Sequence, residues 1–155
     1  QNLTEIQNHL LQIVNEERRS RNLTPFEIDE EINLAAKIQA DYLRRILNIR
    51  QVSHTNPNPK LSSPSHRIKV GTNSKYRSSG ENITAFTYDE TKTSLEIAQH
   101  AHDNFMNSRG HRTHIIFESF TVFDDCSPPP LYYGHYVEYN KKLNMIIVVQ
   151  MFPSK

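Results

Sequence analysis

Helical periodicity is concentrated in the first two-thirds of this chain and strand-like composition in the last third, and that segregation limits its architecture more than any other feature. Leu3, Ile6, Leu10, Ile13 and Val14 recur at three-to-four spacing, predicting an amphipathic helix that ends near Arg21 and Asn22. Thr24-Pro25-Phe26-Glu27 has the form of a capping box with Pro at the first helical position, and Asp29 offers a second start. Either start leads into the stripe Ile32, Ala35, Ala36, Ile38, Tyr42, Leu43 and Ile46. A third helix follows the capping box Thr93-Ser94-Leu95-Glu96, carries Leu95, Ala98, Ala101, His102 and Phe105 on one face, and stops before Gly110, a natural terminator. Beyond it, Phe120 to Phe123, Tyr132 to Tyr139 and Met145 to Phe152 are rich in aromatic and β-branched residues and read as strands. Asn140-Lys141-Lys142 predicts a hairpin, and Ser127-Pro128-Pro129-Pro130 marks a loop. Helices followed by a mainly antiparallel sheet predict an α+β domain.

Residues 52–80 hold several Ser, Asn and Pro and few large apolar groups, so this stretch is expected to be irregular apart from a short helix over Ser65 to Val70. Loops this long inside compact domains are usually functional or mobile, and His54 stands at the entrance of this one.

A length of 155 residues fits one domain, 1–155, able to bury roughly two-thirds of its unfolded surface. The single cysteine, Cys126, cannot form an intrachain disulfide, so packing and hydrogen bonds carry the fold. Its acidic neighbours Asp124 and Asp125 disfavour a thiolate. Eighteen basic against 17 acidic residues give a net +1, which argues against a general grip on nucleic acid or an anionic membrane. The charged runs Glu16 to Arg21 and Arg44-Arg45 read as solvated helix faces. No apolar run reaches the roughly 18 residues of a membrane span. The chain opens at Gln1 without an apolar leader, as expected of a cytoplasmic chain or of a mature one whose export signal has been removed.

Candidate chemistry centres on His54, Glu81 and His111. Two imidazoles and a carboxylate suit a borderline divalent metal such as zinc, although their separation in sequence is unlike the compact ligand pairs of zinc motifs. Bland alternatives stand beside this. Glu81 reads equally as a buried carboxylate accepting backbone N–H groups, and His111 as a polar cap just beyond Gly110. Arg112 is expected either to brace the carboxylate or to lie on the surface. His102 reads as a satisfied core residue or a wall of the cleft, and His111 with His114 as a coincidence of the surface; His135 has no evident partner. No sequence context pairs a Ser or Cys with a His for nucleophilic catalysis.

Seven segments taken in order give a more specific signal: Val14-Asn15-Glu16-Glu17-Arg18, Leu23-Thr24-Pro25, the Ala35-Ala36 helix, Ser53-His54, Gly80-Glu81-Asn82-Ile83, Ser108-Arg109-Gly110-His111-Arg112 and Val149-Gln150-Met151-Phe152. From about residue 8 to 152 the chain resembles a CAP domain, the superfamily of cysteine-rich secretory, antigen 5 and pathogenesis-related proteins, in its short bacterial, disulfide-free branch. The resemblance implies a three-layer α-β-α sandwich with a central, mainly antiparallel sheet. It also implies a cleft in which two His and two acids hold a divalent metal, the His pair being His54 and His111 and the first acid Glu81. The second acid's position, three beyond Phe105, holds Ser108, so the metal site implied is weak, with Glu81 supporting it through water and Ser108 and Arg112 supporting the cleft. The sterol-binding loop of some members has no room between Phe105 and Gly110, while Glu118 to Pro130 resembles an insertion able to build another groove.

The function expected from the resemblance is an exported or surface-held binding module for an unidentified protein or lipid ligand, with no nucleic acid involved. The alternatives are a metal-assisted hydrolase of peptides or esters using Glu81 as general base, a lipid or sterol binder, and a cluster whose role is purely structural.

Overall fold

The computed structural model describes residues 2–46, 53–117 and 131–154. Helix α1 (Leu3–Ser20) starts at Asn2, whose side chain accepts from the Glu5 amide, and ends at Arg21 and the left-handed Asn22. Strand β1 (Phe26–Ile28) occupies the segment that sequence reads as a capping box; the helix start is the second one, with Asp29 capping α2 (Glu30–Arg45) through the Glu31 amide. A 3-10 turn (Pro59–Leu61) follows, then α3 (Pro64–Gly71), which is the short helix expected over Ser65 to Val70, and then β2 (Ser78–Thr87), whose first residues lie in the stretch expected to be irregular.

Helix α4 (Ser94–Met106) carries the predicted capping box of Thr93 and Glu96. It ends at Asn107, and Gly110 lies inside the next helix, α5 (Arg109–Ile115), so the expected terminator in fact belongs to a helix's first turn. Strands β3 (Leu131–Asn140) and β4 (Met145–Ser154) form the predicted hairpin. The strand and loop expected over 120–130, and Cys126, fall outside the described residues.

Among the described residues the sheet has the order β1-β3-β4-β2; β1 runs parallel to β3, and the other pairings are antiparallel. Two strands therefore precede the last two helices, a more interleaved order than helices first and sheet last. β4 divides the core by simple alternation. Ile146 and Val148 join the α1, α4 and α5 side with Leu10, Phe105 and Ile115, while Ile147, Val149 and Met151 join the α2 and α3 side with Ile32, Leu43 and Ile68. Helices thus cover both faces, completing the α-β-α sandwich. Gly134 permits the close approach of α2 to β3, since a Cβ there would lie 2.5 Å from the Asn33 amide nitrogen. No described helix is long and apolar enough to cross a membrane.

The charged run on α1 holds one departure from a solvated face. Arg18 is buried; it donates to the carbonyls of Thr24, Ile115 and Phe117 and lies 4.0 Å over the Phe26 ring, tying α1 to the end of α5.

Candidate functional site

Three segments distant in sequence meet at the start of β2. The ladder places Glu81 opposite Met151 on β4, and its buried carboxylate receives the Arg67 guanidinium, with Nη2 donating to both oxygens at 2.8 Å. His54 Nδ1–H donates to Oε1 of the same carboxylate, also at 2.8 Å. The bond joins the two candidate side chains directly. In the neutral imidazole a carboxylate on Nδ1 selects the tautomer whose Nε2 carries the lone pair. The His54 side chain remains 50% exposed, whereas Arg67 and Glu81 are sealed at 0% and 1%.

Arg67 also organises the long loop before it. Its guanidinium donates to the carbonyls of His54 and Leu61. From the other side buried Gln39 on α2 donates to the carbonyls of Ser53 and Thr55. The loop is therefore clamped around His54 by two buried side chains.

His111 stands in the first turn of α5, edge-on to Phe105 at 5.5 Å. Burial first, and the neighbouring His54 charge second, hold its imidazole below the usual range. His114, three residues on, is no surface coincidence. Its Nδ1–H donates to Asn82 Oδ1 at 2.8 Å, and its ring stacks on Phe152 at 5.4 Å. A Cβ on Gly80 would come within 2.7 Å of its Nε2, so the glycine makes room for the ring. Burial, then His111, then His54 lower the His114 value as well. The three imidazoles thus share one electrostatic neighbourhood in which protonating one opposes the next.

Asn82 joins this cluster to the sheet interior. Its Nδ2 donates to the His111 carbonyl and to Gln150 Oε1; Gln150 Nε2 donates to the Tyr133 hydroxyl, which donates to His135 Nδ1 at 2.6 Å. His135, without a partner in the sequence reading, is buried at the far end of this chain, and burial depresses its pKa to about 3.

The remaining candidates lie beside the cluster. Ser108 occupies the N-cap position of α5 and makes no side-chain cap bond. Arg112 is half-buried and donates to the Met106 carbonyl, bracing the α4–α5 joint; Glu81 is braced by Arg67 instead. His102 is a core residue at the α1–α4 contact, 3.3 Å from Glu17. Among the described residues, no three His, Cys, Asp or Glu side chains gather into a set able to hold a metal ion. Sequence reasoning missed Arg67, His114 and Asn82. For His114 the three-residue spacing from His111 was a signal; for Arg67 nothing local marked it.

A model of the cysteine-rich secretory protein family, CAP, matches residues 11–123. The chain belongs to this family. Among solved structures, the CAP fold here is similar to an outer surface protein from Borrelia burgdorferi, at TM-score 0.70 and 20% identity over 97% of this chain and 93% of that one. An extracellular protein containing a SCP domain from Bacillus anthracis aligns at TM-score 0.62 and 22% identity, covering 99% of this chain and 41% of that one. A cysteine-rich secretory protein from Staphylococcus aureus aligns at TM-score 0.58 and 11% identity, covering 98% and 40%. The chain therefore spans about two-fifths of the latter two proteins. At these identities the likeness is one of fold. No curated protein matches the chain in sequence.

Proposed function

We propose that this CAP domain is an extracellular or surface-held binding module whose ligand-facing groups are the His54 and His111 imidazoles, the first of them held in place by the Glu81 carboxylate, which takes no part in turnover. The observation that carries this reading is the commitment of Glu81. Both its oxygens accept from Arg67 and one also accepts from His54, so it orients an imidazole and has no free oxygen aimed at a substrate proton. The same ion pair weighs against the hydrolytic alternative, which needs Glu81 as general base.

A divalent cation such as zinc fits this donor set only as a weak guest. His54 Nε2 and His111 are the groups that would hold it, with Glu81 orienting His54 from behind as carboxylates do for metal-bound histidines. When bound, the cation would supply positive charge for an anionic ligand group. Ser108, in place of a second acid, adds no charge to the set. Extracellular placement rests on the family and on relatives described as an outer surface protein and an extracellular protein.

Calorimetric titration with zinc tests the assignment. The wild type should give weak, saturable heat that His54→Ala/His111→Ala abolishes; identical heats from the two proteins would refute it.

A further inference from the structure

Away from the histidine cluster, a groove of about 1340 Å³ runs between the end of β2, the turn that follows it, α4 and the tip of the β3–β4 hairpin. Phe86, Tyr88 and Tyr139 line its floor; Phe86 stacks on the His100 imidazole at 4.3 Å, and Tyr88 meets Tyr139 at 5.5 Å. Its rim is acidic. Asp89 and Glu90 sit on the turn and Glu96 and Asp103 on the exposed face of α4, with Lys92 as the one lysine among the lining residues, in a chain whose net charge is +1.

Three of these carboxylates serve local structure with one oxygen each. Asp89 Oδ1 accepts from Thr91, Glu96 Oε1 from the Thr93 amide, and Asp103 Oδ1 from Gln99 Nε2. The second oxygens of Asp89 and Asp103 accept no hydrogen bond among the described residues, and that of Glu96 meets only the Lys92 ammonium, at 3.9 Å. The groove thus combines aromatic faces with unoccupied acceptors, the two features that select an organic cation.

We infer that this groove docks an extended basic peptide segment carrying lysine or arginine side chains a few residues apart. Glu96 and Asp103 are two helical turns apart, about 10 Å along the axis. An extended chain covers that distance in about three residues. The aliphatic stems of such side chains lie over Tyr88 and Tyr139, beside the Phe86–His100 stack, while their heads reach the rim. The volume exceeds the usual range of small-molecule pockets and suits a segment of chain.

The test titrates the isotope-labelled full chain at low salt with three probes: acetyl-KAAKAAKA-amide, its glutamate counterpart acetyl-EAAEAAEA-amide, and lysine amide. The lysine peptide should shift amide resonances confined to residues 86–103 and 139–144, and the glutamate peptide should shift none. Glu90→Gln/Asp103→Asn should weaken binding about tenfold, and Glu90→Gln alone, on the exposed turn where helix α4 is untouched, about twofold to threefold. Binding unchanged in both variants, shifts centred elsewhere, no binding, or lysine amide binding as tightly as the peptide would each overturn the inference.

Discussion

Arg67 Nη2 lies 2.8 Å from both carboxylate oxygens of Glu81, and neither side chain reaches solvent. A buried pair of this kind contributes little net stability over an apolar pair, yet breaking it is costly because the surviving charge stays buried. Here the cost is compounded, since Arg67 also holds the His54 and Leu61 carbonyls. Arg67→Met and Glu81→Ala should each lower the unfolding free energy by about 3–5 kcal/mol in urea denaturation. A double variant, Arg67→Met/Glu81→Met, should lose less than the two single losses together. Single losses below about 1 kcal/mol would mean that the pair does not clamp the loop.

Gly80 and Gly110 make a matched comparison. A methyl at Gly80 would meet His114 Nε2 at 2.7 Å and Cδ2 at 2.9 Å, whereas one at Gly110 would meet nothing within 4 Å. Gly80→Ala should therefore displace the His114 ring from Asn82, costing about 1–3 kcal/mol and shifting the His114 imidazole resonances. Gly110→Ala, in the first turn of α5, should be neutral or stabilising by up to about 1 kcal/mol. Equal effects would show that the ring does not rest on Gly80.

His135 predicts a loss of stability in acid. Burial depresses its folded-state pKa from 6.5 to about 3, so the folded chain binds this proton less readily than the unfolded chain. Its contribution is complete above pH 6.5 and disappears as pH falls toward 3. Tyr133→Phe removes the donor to His135 Nδ1 and the acceptor of Gln150 Nε2, and should cost about 1–3 kcal/mol at neutral pH.

Glu138 predicts the opposite slope. Burial, together with the hydrogen bond and charge of Asp41, raises its pKa from 4.5 to about 7. The folded chain then holds this proton more tightly than the unfolded chain, so the contribution is full below pH 4.5 and is lost as pH rises through about 7. Glu138→Gln should flatten the stability profile across that window in urea unfolding run from pH 4.5 to about 8. A profile with the wild-type slope would contradict the raised pKa of Glu138.

The sequence was most legible where one period governs a long element. The stripes of α1, α2 and α4 and the composition of the β3–β4 hairpin marked those elements to within a few residues. β1, three residues long, is too short to show alternation, and its capping-box appearance is a property of Thr24 and Pro25 that tertiary pairing with β3 overrides. Arg18 escaped because a pattern of apolar residues counts an arginine as solvated, whereas carbonyls from α5 and a ring from β1 compensate its burial. At the site, the motif order marked His54, Glu81 and His111. Arg67 lies 14 residues before Glu81 on a short helix with a weak stripe, so only the fold reveals the pair.

The central claim is that Glu81 positions His54 for binding, and imidazole NMR during a zinc titration tests it most directly. In the wild type, His54 should carry its proton on Nδ1, zinc should perturb the Nε2 resonances of His54 and His111, and Glu81→Gln should weaken binding about 10-fold to 100-fold. A proton on Nε2 of His54 in the free protein, or zinc affinity unaltered by Glu81→Gln, would contradict it.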